Sequence, residues 1–514
     1  MNRLSQLSGQ FDEEQKLLQQ ITELENWFKS PRFNNVLRPY TAKQVAEVRG
    51  SIVPNQFSDF MARKFYTLMM DLKQSKGFSL ACGALDTVQV INMSKYMTSI
   101  YVSGWQCSSS ASTTNDPGPD FADYPYDTVP KKCDQLVKMQ RFQDRRQQYE
   151  RSLITAEQRK QKKPYDYLVP VICDADAGFG GTSSVMKLTK LFIESGAAGI
   201  HLEDQRPDLK KCGHMAGRVV TSTNTHVQKL IASRLQADIM GNELFIIART
   251  DALGARFIET NVDLIDQPYI LGVTKFHDKP CTYPEAGVFI IEQMIDKEKR
   301  IQATNQWLKQ CESGGIKRAK DLAKRLGFEL DFDWEQCRNP DGFYALKSSV
   351  HYCAIRAKEY LKYADALWME TSTPDLKVAK ELSDELQFEL QNNKVLCYNC
   401  SPSFNWSKFG FSDSELKNFN SELGKLGYTW QFITLAGFHL NALQSERFSK
   451  DLSERYMLAY VEDIQRKEEK HNVDQLRHQK WSGAELIDHV MTIVNQSTLI
   501  SSGEDSTEHQ FDNK

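Results

Sequence analysis

Residues 169–204 read VPVICDADAGFGGTSSVMKLTKLFIESGAAGIHLED. An apolar run over 169–176 ends in Asp174 and Asp176, an amphipathic stretch follows over 183–195, and a second apolar run over 199–204 ends in Glu203 and Asp204. Short runs that are apolar on both faces suit strands covered on both sides of a parallel sheet, and the stretch between them has helical periodicity. The same kind of strand recurs at 79–85, 100–105, 244–251, 366–371, 395–401 and 430–436, with another amphipathic stretch at 226–240. Eight strands separated by crossover segments predict an α/β fold, a (β/α)8 barrel of the TIM type. In that fold chemistry collects at the C-terminal ends of the strands, where the endings SGWQ, DADAG, HLEDQ, ARTD, MET, NCSPS and TLAG all fall.

The intervals between strands divide the rest of the chain. Residues 1–70 are expected to form an N-terminal helical extension, with apolar periodicity over 14–28, and 71–273 the first part of the barrel. The polar, helix-prone interval 274–341 is too long for one crossover and predicts an inserted helical subdomain. Residues 342–445 complete the barrel, 446–500 form a C-terminal helical region suited to oligomerisation, and 501–514 are expected to be a disordered tail.

Composition narrows the function. With 40% hydrophobic and 25% charged residues and a net charge of −3 over 514 residues, nothing points to nucleic acid or a membrane surface. No apolar run approaches the roughly 20 residues that span a bilayer. The start carries no signal-peptide core and turns acidic by Asp12, which disfavours mitochondrial import, and the end lacks the tripeptide address of a peroxisome-like organelle. Eleven cysteines without paired spacing fit reduced thiols, and a cytoplasmic location is expected. Cys397 and Cys400 form a C-x-x-C without a second pair, which reads as coincidence.

The densest chemistry lies in Lys210-Lys211-Cys212-Gly213-His214. Two flanking lysines and a nearby imidazole are expected to favour the reactive thiolate of Cys212. Just upstream stand Asp174, Asp176, His201, Glu203 and Asp204. A cationic cysteine loop beside a carboxylate cluster suggests metal-assisted chemistry on an anionic substrate.

With these residues assembled, the chain resembles the isocitrate lyase family over nearly its whole length. KKCGH (210–214) matches the family signature, and YVSGWQ (101–106), PDFADYP (119–125), DADAGFGG (174–181), GIHLEDQ (199–205), ARTD (248–251), WMET (368–371), YNCSPSFNW (398–406), FITLAGFH (432–439) and HQKWSGAE (478–485) follow in family order. DAD at 174–176 and the insertion after ARTD resemble the eukaryotic form, with a shorter insertion than plant or fungal members carry.

The resemblance implies reversible retro-aldol cleavage of isocitrate to glyoxylate and succinate in the glyoxylate bypass. The alternatives are 2-methylisocitrate lyase, which makes pyruvate and succinate, and a non-catalytic regulatory member. Asp174, Asp176, Glu203 and Asp120 would hold Mg²⁺, with Mn²⁺ as the substitute, since hard oxygen donors favour such ions. Cys212 would protonate the succinate carbanion, with His214 holding substrate or cysteine. Tyr101 or Glu370 would act as base, and His201 would orient the acids or the cysteine. Ser103, Gly104 and Trp105 would surround glyoxylate. Gly213, Arg249, Asn399, Ser401, Ser403 and Thr434 would serve the other substrate groups, Arg249 as a planar fork for a carboxylate. Family assembly implies a homotetramer, and the apolar content of 478–500 agrees.

Overall fold

A computed structural model describes residues 13–112, 116–496, 503 and 506–511. Eight parallel strands close into a barrel: β1 (Ser79–Gly83), β2 (Ile100–Val102), β3 (Val171–Asp174), β4 (Gly199–Glu203), β5 (Phe245–Thr250), β6 (Ala366–Met369), β7 (Val395–Asn399) and β8 (Tyr428–Ile433). Neighbours in space are neighbours in sequence, and β1 pairs with both β2 and β8. All eight apolar segments are therefore barrel strands.

The two-residue period of a strand explains both the core and the site. Ala81, Tyr101, Ile172, Ile247, Trp368, Cys397 and Trp430 belong to one buried cluster inside the barrel, while Val102, Val171, Ile200, Ile246, Leu367 and Leu396 pack outward on the helices. One step further along five of the inward rows stands a polar residue. Ile172 is followed by Asp174, His201 by Glu203, Ile247 by Arg249, Trp368 by Glu370 and Cys397 by Asn399. Register brings these rows level: Asp174 pairs with His201, and Arg249 with both Glu203 and Trp368.

The opposite mouth is plugged. Helix Phe57–Ser75 buries Met61, Phe65 and Met69 against the barrel interior, with Phe65 edge-on to Phe245 at 4.9 Å. The expected boundary at residue 70 therefore cuts a helix that belongs with the barrel floor.

The long interval after β5 is not purely helical. A hairpin (Leu271–Thr274 with His277–Thr282) precedes helices Tyr283–Met294 and Lys297–Leu326, the second broken at Gly315. This segment has its own core around Tyr283, Ile290, Trp307 and Phe328. Gly287 lies so close to the Trp307 ring that a Cβ there would overlap it.

At the C-terminal end, helices Ala436–Arg455 and Ala484–Asn495 bury little in their own chain. On them Leu443, Ile493 and Val494 are more than half exposed. Within the expected disordered tail, Thr507–Phe511 form a 3₁₀ turn instead. Its buried Glu508 accepts hydrogen bonds from the backbone N–H groups of Gln479 (2.7 Å) and Lys480 (3.2 Å). The rest of 501–514, apart from 503 and 506, lies outside the described residues. Among the described residues no helix is long and apolar enough to cross a membrane.

Candidate active site

A cavity of about 130 Å³ opens at the C-terminal rim of the barrel. Its wall contains Tyr101, Ser103, Trp105, Asp120, Asp174, Cys212, Gly213, His214, Arg249, Glu370, Asn399, Ser401, Ser403 and Thr434, together with Trp368 and Leu435. Four other expected residues, Gly104, His201, Asp176 and Glu203, are buried behind this wall rather than on it.

The acidic side is built around Lys210. Its ammonium stands 2.6 Å from both Asp120 Oδ1 and Asp176 Oδ1, and 3.9 Å from Glu203 Oε1. Burial works against that charge, but the carboxylates outweigh it and hold Lys210 protonated. Burial, with Asp120 and Asp174 adding repulsion, pushes Asp176 up to about 8 against the pull of Lys210. Glu203 is likewise driven well above the carboxylate range by burial, although Arg249 Nη1 lies 3.0 Å from its Oε2. Tyr124, on the loop that leads into helix Thr128–Ser152, donates from its hydroxyl to Asp176.

Asp174 is held from three directions. Its Oδ2 accepts from the Gly104 N–H (3.0 Å) and the Tyr101 hydroxyl (3.2 Å), and its Oδ1 from the Asp176 N–H (2.9 Å). The Gly104 amide is thereby engaged by Asp174. His201 Nε2 lies 2.9 Å from the Tyr101 hydroxyl and 3.5 Å from Asp174, so it faces these two and not the cysteine. Burial lowers its imidazole to about 4, leaving it neutral. Burial and Asp174 together raise the Tyr101 phenol well above its ordinary value.

The cysteine loop departs from expectation in its electrostatics. Burial raises the Cys212 thiol to about 11; the His214 N–H pulls it down less, and Asp120 adds to the rise. Lys210 pulls the thiol down as well, but less than burial raises it, with its ammonium engaged by Asp120 and Asp176; the Lys211 backbone is tied to Gln205 (2.8 and 3.0 Å). Near neutrality burial keeps Cys212 in its thiol form. Gly213 passes so close to Arg249 Nη2 and Glu370 that a Cβ would press on both side chains at 2.5–2.8 Å. His214 Nε2 lies 3.7 Å from Glu370 Oε1 and edge-on to Phe404.

The facing wall is neutral and cationic. Asn399 donates to Glu370 (3.4 Å), and Ser401 Oγ accepts from the Ser403 N–H (3.1 Å). Ser103 caps its helix by accepting from the Gln106 N–H (3.3 Å), and Trp105 packs edge-on against Phe438 at 5.2 Å. Arg249 lies over the Trp368 ring at 4.2 Å, 3.3 Å from Glu370, and is gripped by both oxygens of Asp251 (2.9 and 3.1 Å). Sequence reasoning missed Tyr124, Asp251 and Trp368. Asp251 had a signal, since it stands two residues beyond Arg249 on the same inward row; Tyr124, on an aperiodic loop, had none.

Fold and site together define a (β/α)8-barrel protein with its polar constellation on the strand-end rim. The chain belongs to the isocitrate lyase family, whose description matches residues 20–283 and 281–511. It is 42% identical to an isocitrate lyase of Pinus taeda (98% of this chain, 94% of the relative) and 41% identical to an isocitrate lyase of Saccharomyces cerevisiae (96% of each). It is also 37% identical to a mitochondrial 2-methylisocitrate lyase of Hypocrea atroviridis (96% and 94%).

The family generally uses Mg²⁺, and the donors here fit that ion in type: buried carboxylates in excess over the nearby cations. Among the described residues no three potential ligands form a ready cage, because Lys210 stands between Asp120 and Asp176. Mg²⁺ keeps several waters and takes one or two protein carboxylates. Asp174 and Asp120, the two that reach the cavity wall, suit that mode.

Proposed function

We propose that this protein is an isocitrate lyase that cleaves isocitrate to glyoxylate and succinate. The observation that carries this reading is the cavity itself, which gathers a thiol, an arginine fork and carboxylates in one wall. Asp174 and Asp120 would hold Mg²⁺, with Asp176 and Glu203 contributing through waters. The bound cation would polarise the C2 oxygen and offset developing negative charge.

Glu370 takes the proton of the C2 hydroxyl. Its carboxylate faces the cavity, whereas Tyr101 donates its hydrogen to Asp174 and its raised pKa disfavours a phenolate near neutrality. The electrons of that O–H bond form the C2 carbonyl of glyoxylate, and the C2–C3 bond pair passes to C3. Cys212 gives its proton to C3, which completes succinate. Arg249, Asn399, Ser401, Ser403 and Thr434 bind the substrate carboxylates, and His214 bridges the cysteine loop to Glu370.

The assembly proposed is a homotetramer in which the exposed faces of Ala436–Arg455 and Ala484–Asn495 cover a neighbouring subunit. The alternative substrate, 2-methylisocitrate, differs by one methyl, worth only about 1–3 kcal/mol in a pocket. The slightly higher identity to isocitrate lyases supports isocitrate. The test is product analysis: isocitrate with Mg²⁺ should give glyoxylate and succinate in equal amounts, and absence of glyoxylate would refute the reading.

A further inference from the structure

Arg249 has several partners besides any substrate. Glu203 lies 3.0 Å from one of its nitrogens and Glu370 3.3 Å from another, while Trp368 backs its face. What fixes the plane of the fork is Asp251, the next inward residue after β5, whose carboxylate takes both Nε (2.9 Å) and Nη2 (3.1 Å). Asp251 is fully buried, is absent from the cavity wall, and is itself anchored by its N–H to Asp204 Oδ1 (2.9 Å).

The same carboxylate has a second client. Its Oδ1 accepts from Arg218 Nη1 (2.8 Å), and Arg218 lies six residues beyond Cys212, at the point where the loop enters the short strand Val219–Val220. The leading end of the loop is held by Gln205 through both backbone atoms of Lys211. The trailing end is held by Arg218. Space for that guanidinium exists because residue 254 is glycine: a Cβ there would overlap it.

We infer that Asp251 is a positioning residue that ties the Arg249 fork and the trailing end of the Cys212 loop into one unit. Substrate-carboxylate binding and presentation of the thiol are thereby set by a single buried carboxylate that never touches substrate. The inference rests on reading Arg249 as the carboxylate fork.

The experiment compares the full-length parent with D251N and G254A. It measures isocitrate KM and kcat, and the rate of Cys212 alkylation by iodoacetamide in ligand-free protein, read by peptide mass spectrometry. In D251N, KM rises by about tenfold or more, as expected for a lost charge-assisted bond, and Cys212 alkylation accelerates by about threefold or more as the loop end loosens. In G254A, alkylation accelerates similarly while KM stays close to the parent, because Arg249 keeps its grip on Asp251. An unchanged alkylation rate in either folded variant, or an unchanged KM in D251N, overturns the inference. Should D251N fail to fold, G254A alone decides the loop linkage. A parent that does not cleave isocitrate would refute the proposed function instead, and the alkylation arm would still decide whether the linkage exists.

Discussion

Lys210 Nζ stands 2.6 Å from Asp176 Oδ1, inside the acidic rim and two residues before Cys212. The cysteine loop thus enters the barrel with its own cation, which neutralises part of a buried carboxylate surplus. Removing one partner of a buried ion pair typically costs about 3–5 kcal/mol, because the other charge is left uncompensated. K210M is expected to lower the melting temperature clearly, and added Mg²⁺ should restore more of it in the variant than it adds to the parent. A variant that melts with the parent and gains nothing extra from Mg²⁺ would show that the carboxylates do not need this charge.

The thiol of Cys212 is raised to about 11 by burial, which fixes the sign of its pH dependence. Below that value the group is protonated, so its proton-donor role holds through neutrality, and the thiolate needed for the reverse condensation becomes commoner as pH rises. Alkylation of Cys212 in free enzyme should therefore climb about tenfold per pH unit above neutrality without levelling near 8.5, the value of an ordinary thiol. Levelling at or below 8 would contradict the assignment. C212S should lower turnover by about 10²–10⁴-fold, the range of a lost general acid, with circular dichroism unchanged.

Gly287 faces the Trp307 ring across the insertion core, and Trp307 Nε1 donates to Pro284 O at 2.8 Å. G287A forces the two helices apart and should destabilise the insertion by about 1–3 kcal/mol, the cost of overpacking. Because this core is separate from the barrel's, isocitrate KM should not change. Calorimetry and kinetics on the same sample check both halves, and an unaltered melting profile would refute the contact.

Ile493 and Val494 are 63% and 67% exposed on a helix whose only buried residue is Leu486. Light scattering should give a mass near four times 59.0 kDa, and deletion of the residues after Gln475 should cause dissociation or precipitation. A fully active monomer at micromolar concentration would rule out the proposed assembly.

The barrel was legible because each strand carries its evidence locally: a short run apolar on both faces, ending in polar residues. Most of the cavity wall was legible for the same reason, since Asp174, Arg249, Glu370 and Asn399 are the polar ends of inward rows. The state of Cys212 was not. Adjacent lysines in sequence suggested a thiolate, but side-chain direction sends Lys210 to Asp120 and Asp176, and burial decides the titration. The hairpin of Leu271–Thr274 with His277–Thr282 is local but lies in a polar interval with helix-prone composition, and the plug formed by Phe57–Ser75 was hidden because it depends on contacts far away in the chain.

The central claim is cleavage of isocitrate at this rim. Steady-state kcat/KM should be measured for isocitrate and 2-methylisocitrate, with Mg²⁺ and after EDTA treatment, in the parent and in D174A. The account predicts glyoxylate formation from isocitrate with the higher kcat/KM, loss of activity in EDTA with recovery on adding Mg²⁺, and an inactive but folded D174A. Preference for 2-methylisocitrate, or turnover that persists in EDTA and in D174A, would contradict it.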